Sequence, residues 1–215
     1  MPGSAVIVLD FETTGHSPSL GDRPIEVGAV RIEDDMIVDR FQALMNPGFT
    51  ISWFIESLTG ISNELVAAAP DCEEVMARFA DWIGDTPLVA HNVGFDRKFL
   101  DAELARIGRE RSNPMACTVL ASRRLFPEAP NHKLATLVNH LGIFTDGTFH
   151  RALADAEMTG HLWIALTDLL RSRYRLDAVP FTLMQEVTQI GRTKVDRFLR
   201  AYADRYGGCP RLEAA

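Results

Sequence analysis

Three cysteines in 215 residues, Cys72, Cys117 and Cys209, are odd in number and far apart, with no spacing suited to a disulfide framework or a zinc cluster. Reduced thiols are expected, two of them as small core side chains. Long apolar runs are missing too: none reaches about 18 residues, the length a membrane-spanning helix needs. The most apolar late stretch, Leu162 to Leu170, is broken by Thr167 and Asp168. No basic segment followed by an apolar one opens the chain, so a cytoplasmic location without membrane association is the expectation. Basic charge is scarce, with 22 Lys and Arg against 29 Asp and Glu and a net charge of −7. That balance argues against a broad surface coating nucleic acid, but leaves room for an enzyme whose metal ligands must be acidic. No glycine-rich loop that could cradle phosphates is visible, which disfavours a generic small-molecule phosphoesterase.

Hydrophobic residues make up 47% of the chain and charged residues 24%, ordinary for a globular domain with a real core. There is no internal repeat and no low-complexity linker. Alternation and runs of apolar residues place strands at Val6–Leu9, Ile25–Ile32, Met36–Met45 and Pro87–Ala90. Glu33-Asp34-Asp35 is short enough to join the second and third as an antiparallel hairpin. Asp71-Cys72-Glu73-Glu74 reads as a capping box opening a helix that carries Val75, Met76, Phe79, Trp82 and Ile83. Helices are further expected after Gly94, over Thr118–Phe126, over Lys133–Leu141, over Ala152–Arg171, and over Lys194–Tyr206. The loop Thr145–Thr148 leads to His150. The expected fold class is α/β, with one domain over residues 1–172 and a helical C-terminal extension over 173–215.

The stretch Val6-Ile7-Val8-Leu9-Asp10-Phe11-Glu12-Thr13-Thr14-Gly15 organises the rest. Four branched apolar residues read as a strand covered on both faces. Residues i and i+2 of a strand share a face, so Asp10 and Glu12 project together. Adjacent anions raise each other's pKa unless a cation lies between them, and Mg²⁺ or Mn²⁺ is the natural companion of carboxylate oxygens. Asp96 and Asp155 each fall in the first turn of an expected helix. Either could simply complement a helix dipole. All four acids, however, occupy strand ends or helix starts, which line one edge of an open α/β sheet. His150, one turn ahead of Asp155, is placed to lean over that edge as a proton acceptor. His91, at a strand end, could hold a loop or touch a ligand, while His16, His132, His140 and His161 read as structural or solvated.

Asp10-x-Glu12-Thr13-Thr14-Gly15, His91-Asn92-x-Gly94-Phe95-Asp96 and His150-x-x-x-x-Asp155 occur in order and span residues 5 to 172. They resemble the three motifs of the DEDDh (DnaQ-like) exonucleases, the family of the epsilon proofreading subunit of bacterial DNA polymerase III, RNase T and oligoribonuclease. Leu58-Thr59-Gly60-Ile61-Ser62 and Lys133–Leu137 are similar to the polymerase III epsilon-like branch. The resemblance implies a ribonuclease-H-like mixed sheet flanked by helices. It also implies metal-dependent release of nucleoside monophosphates from a single-stranded DNA 3′ end. Two ions, Mg²⁺ or Mn²⁺, would be held by Asp10, Glu12, Asp96 and Asp155, with His150 and Glu12 catalytic. Thr13, Thr14, Leu58, Ile61, Asn92 and Phe95 match positions that hold the terminal nucleotide. DNA is favoured over RNA, and a polymerase is a possible partner. Alternatives are an exoribonuclease or a silent nucleic-acid-binding module. Thr59 departs from the epsilon subunit, which has a histidine there, and no clamp-binding motif follows the domain. With no basic track in view, the grip on substrate is expected to come from the metals and the terminal pocket, unless Arg106–Arg111 extends it.

Overall fold

The computed structural model describes residues 5–144 and 150–207; the expected loop Thr145–Thr148 and Cys209 lie outside these residues. Val6–Thr13 (β1) pairs antiparallel with Pro24–Glu33 (β2), which pairs antiparallel with Met36–Leu44 (β3). The β2–β3 turn is Asp34-Asp35, with φ of 49° and 61°. Two left-handed residues give the turn whose twist matches that of a tight hairpin, and aspartate tolerates the conformation. On its other side β1 runs parallel to Leu88–Ala90 (β4), and β4 parallel to Met115–Cys117 (β5), giving the sheet order β3-β2-β1-β4-β5. β5 has no alternation and was not foreseen; three residues covered on both faces leave no period to read.

Helices cover both faces. Trp53–Thr59 (α1), Asn63–Ala68 (α2), Cys72–Ile83 (α3), Val93–Arg106 (α4), Thr118–Leu125 (α5), Leu134–His140 (α6), Ala152–Tyr174 (α7), Phe181–Gln189 (α8) and Val195–Tyr206 (α9) follow in order. The alternation of β1 sends Ile7, Leu9 and Phe11 into a core with Phe79 of α3 and with Phe99 and Leu100 of α4. Val6 and Val8 face the opposite core, with Leu162, Leu166 and Leu170 of α7. Asp10 and Glu12 continue the Val6–Val8 face, so β1 presents its acids on the side where α7 begins. Leu183, Met184 and Val187 of α8 and Val195 and Leu199 of α9 join that same core. The expected division after residue 172 falls inside α7. Among the described residues no helix is long and apolar enough to cross a membrane.

The capping box at Asp71 does not form. Asp71 occupies the N-cap of α3 without a side-chain bond to the helix, and Glu74, the N3 residue that would close the box, lies 4.0 Å from Arg78 one turn on. α1 ends at Gly60, whose φ of 70° is left-handed.

One glycine sets the distance between the sheet and the start of α7. Gly28 of β2 lies opposite Asp10, and a Cβ there would stand 2.1 Å from the Ala152 carbonyl carbon and the Leu153 nitrogen. Gly28→Ala must therefore push α7 away from β2, at a cost of about 1–3 kcal/mol or more for overpacking against backbone. Chemical denaturation of the variant should show that loss as a lower midpoint. Wild-type stability in Gly28→Ala would mean that α7 does not rest on β2.

Candidate active site

The carboxyl ends of β1 and β4 and the starts of α4 and α7 meet at one edge of the sheet. Asp96 follows the left-handed Asn92 (φ 76°), which turns the chain from β4 into α4. Asp96 is 1% exposed, and its Oδ1 has no hydrogen-bond partner among the described residues. The carboxylate takes the Phe11 backbone N–H, which ties α4 to the strand between Asp10 and Glu12. Asp155 lies in the first turn of α7 and accepts the His150 N–H through Oδ2 at 3.0 Å. His150 is exposed, with φ of 61°. Ligand atoms of Glu12, His150 and Asp155 lie within 4.8 Å of one another. Dipole complementation and convergence thus both hold for Asp155.

All four acids carry raised pKa values in the absence of a cation. Asp96 is pushed up to about 8, by burial first and by Glu12. Glu12 reaches about 7 through burial, Asp155 and Glu26, with Arg151 opposing. Asp10 is raised well above the usual carboxylate range by burial, then by Asp96, Asp155 and Glu12. Asp155 is raised by burial. Mutual repulsion, a buried oxygen with nothing to bind, and an all-oxygen donor set with one imidazole alongside fit a divalent cation. Asp10, Glu12, Asp96 and Asp155 could hold it.

Two residues that sequence reasoning did not single out fix this edge. Glu26 of β2, opposite Glu12, is fully buried. It accepts Arg151 Nε at 3.1 Å and NH2 at 2.9 Å, the Ala152 N–H at 3.1 Å and Gln42 Nε2 at 2.8 Å. The pair clamps the first residue of α7 to the sheet and brings a cation beside Glu12. The available signals were a lone acid in an otherwise apolar strand and an arginine directly before a helix start.

The expected nucleotide-binding residues divide. Thr13 is buried, its hydroxyl donating to the Gly15 carbonyl at 2.6 Å, and the Thr14 hydroxyl accepts the Arg23 N–H at 3.0 Å. Their side chains hold the turn, leaving backbone for a ligand. Leu58 is 41% exposed, but Ile61 is 1% exposed and packs in a small core with Ile25, Ile51 and Ile55. Phe95 is half-buried against Phe99, and Asn92 is exposed. Thr59 is buried, donating to the Ile55 carbonyl at 2.9 Å, so it stabilises α1 instead of facing outwards. His91 holds a loop: Nδ1 meets the Thr118 hydroxyl at 2.9 Å and Nε2 the His132 carbonyl at 3.1 Å. Burial pushes its pKa down to about 4.

A mixed sheet with a carboxylate cradle at this edge defines a hydrolase of the ribonuclease-H-like class. The sequence profile described as Exonuclease, of the RNase T type, matches residues 7–162, and the chain belongs to this family of DEDDh exonucleases. It is 40% identical over 161 residues to the PolC-type DNA polymerase III of Bacillus cereus, covering 74% of this chain and 11% of that one. Against the PolC-type enzyme of Oceanobacillus iheyensis it is 44% identical over 157 residues, covering 73% and 11%. The chain therefore spans about a tenth of the length of these curated relatives. Among solved structures, Exonuclease X in complex with 5′-overhanging duplex DNA is similar at a TM-score of 0.66 and 26% identity, covering 85% of this chain and 99% of that one. The nuclease domain of 3′hExo, a DEDDh family member bound to rAMP, shares the fold at a TM-score of 0.65 and 23% identity, covering 76% and 92%.

The raised carboxyls set a pH dependence whose sign follows from proton counting. Each acid has a folded-state pKa above its value in the unfolded chain, so between about pH 4 and 8 the metal-free fold holds more protons than the unfolded chain. The cluster's contribution to stability is greatest below that window and is lost as pH rises through it. In chelator, Asp10→Asn should therefore melt above the wild type, with the gap widening from pH 5 to pH 8. A variant that melts below wild type at pH 8 would make Asp10 a structural group instead.

Proposed function

We propose that the chain hydrolyses single-stranded DNA from its 3′ end, releasing nucleoside 5′-monophosphates, with two Mg²⁺ or Mn²⁺ ions in the carboxylate cradle. The observation that carries this reading is a cluster of four buried or half-buried acids, all with raised pKa, two of which, Glu12 and Asp155, lie beside the exposed His150. Bound there, divalent cations would compensate the charge of a scissile phosphate and make water easier to deprotonate. Asp10, Glu12, Asp96 and Asp155 hold the ions and, through them, the phosphate's position. His150, exposed and beside Glu12 and Asp155, takes the proton of the attacking water. Its backbone N–H on Asp155 ties the proton acceptor to a ligand. Leu58 and Phe95 offer apolar surface to the terminal base and sugar, and the Thr13–Thr14 backbone offers polar contacts. Ile61, being buried, contributes backbone only. Asn92 lies exposed at the start of α4, within the same edge.

DNA over RNA, and a setting beside a polymerase, draw support from the PolC-type relatives, which are DNA polymerases. The test is incubation with end-labelled single-stranded DNA and RNA of matched sequence, with Mg²⁺ or Mn²⁺. A ladder shortening from the 3′ end, faster on DNA and abolished by chelator, is expected; undiminished activity in chelator would remove the ions, and faster RNA decay would reverse the substrate. His150→Ala should lower kcat by roughly 10²–10⁴-fold, the scale of a general base, with substrate affinity nearly unchanged. A kcat within a few-fold of wild type would take His150 out of the chemistry.

A further inference from the structure

About half of the described cationic side chains in this acidic protein are neutralised by carboxylates. Arg40 meets Glu157, Arg171 meets Asp35, and Arg23 meets Glu103. The run 106–111, the one candidate track in the sequence, is neutralised as well: Arg106 reaches Glu103 at 3.4 Å, Arg109 reaches Asp81 at 2.6 Å and Arg111 reaches Asp101 at 2.7 Å. One region differs. Between positions 190 and 206 the chain carries five basic residues and two acids. Arg192 and Lys194 form the short 3₁₀ turn Arg192–Lys194 between α8 and α9, and Arg197 lies one helical turn further along. Arg124 Nε donates to the Ile190 carbonyl at 3.0 Å, and Arg192 NH2 donates to the Pro127 carbonyl at 3.1 Å. These bonds fasten the α8–α9 hairpin to the end of α5, where Arg123 and Arg124 lie. None of Arg123, Arg124, Arg192, Lys194 and Arg197 forms an ion pair among the described residues, and all but Arg124 are exposed. Glu128, next to Pro127, turns to His140 at 3.7 Å instead.

The patch is connected to the catalytic edge. α5 begins at Thr118, whose hydroxyl meets His91 at the end of β4; His91 also meets the His132 carbonyl, beside Lys133, which is exposed and forms no ion pair among the described residues. His132 in turn meets the Phe126 carbonyl, adjoining Pro127. From Thr118, α5 rises about 1.5 Å per residue, which sets Arg123 and Arg124 roughly 8–9 Å behind the edge. Two strands at about 4.8 Å each separate that point from β1. Combined at right angles, these offsets set Arg123 and Arg124 about 13 Å from the cradle, beyond the terminal nucleotide and suited to chain further upstream.

We propose that the cations at the end of α5 and in the α8–α9 hairpin form a second nucleic-acid contact, gripping phosphates of the strand 5′ of the end held in the cradle. It rests on the nuclease reading of the site for its orientation, and on unneutralised charge for its ligand. Polyanion backbone is the chemistry that spaced, exposed guanidinium and ammonium groups recognise without sequence preference.

The test compares wild type with Arg123→Gln/Lys194→Gln/Arg197→Gln, whose side chains make no hydrogen bond or ion pair among the described residues. Binding of a 20-nucleotide single strand is followed in chelator, where hydrolysis stops, across 20–200 mM salt. Removing three phosphate contacts should flatten the slope of log affinity against log salt by about 2, at about 0.7 per phosphate. With Mg²⁺ present, the variant should cleave a dinucleotide at the wild-type rate and the 20-nucleotide strand with a raised KM. An unchanged slope overturns the proposal and leaves the patch to an acidic protein partner. Arg123→Glu alone, on α5, is a second probe, expected to flatten the slope by at least 0.7. A wild type that binds with this slope yet cleaves nothing would sink the nuclease reading and not the patch.

Discussion

Burying several carboxylates side by side is the constraint on which the rest of this structure depends. Each anion placed near the end of β1 raises the energy of the others, and burial adds to that energy by removing water. The fold accommodates the arrangement by partial protonation, with Asp96 near 8 and Glu12 near 7, and by bringing Arg151 in beside Glu26. Such a site is unfavourable for a bare protein and favourable for one that receives a divalent cation. The exonuclease family to which the chain belongs gives that arrangement its chemical purpose.

Geometry and electrostatics meet at the first residues of α7. Gly28 allows the helix start to lie on β2, Glu26 accepts the Ala152 N–H and both arms of the Arg151 side chain, and Asp155 folds back to the His150 N–H. Four bonds and one missing Cβ therefore determine where His150 stands relative to the acids of β1. Glu26 is fully buried but meets Arg151, Ala152 and Gln42, so its charge is hydrogen-bonded, the condition under which a buried charge holds a specific geometry instead of simply adding cost.

Much of the edge was legible because its periodicities are local. The i, i+2 spacing of Asp10 and Glu12, the apolar run before them, and acids in the first turns after Asn92 and Arg151 all report the backbone that carries them. What escaped depends on partners distant in sequence. Glu26 reads as an interruption of an apolar strand until Arg151, 125 residues later, is seen upon it. Gly28 carried a readable signal, since glycine inside a strand marks close backbone approach. Asp71 does cap α3 by position, but its side chain makes no bond to the helix and Glu74 turns towards Arg78, a choice of rotamers that residue types alone do not report. Ile61 was expected at the ligand, yet its side chain fills the gap under α1. Net charge is an average: −7 for the whole chain includes a stretch, residues 190–206, in which basic residues outnumber acids.

The central claim is that the raised carboxyls form a cation cradle, and calorimetric titration of Mn²⁺ into the metal-free protein at pH 7 tests it most directly. Acids that hold protons in the absence of metal must release them on binding, so the heat should depend on the ionisation enthalpy of the buffer. The account predicts two ions per chain with a net proton release that Asp96→Asn diminishes. Binding of Mn²⁺ without proton release, or no binding at all, would contradict it.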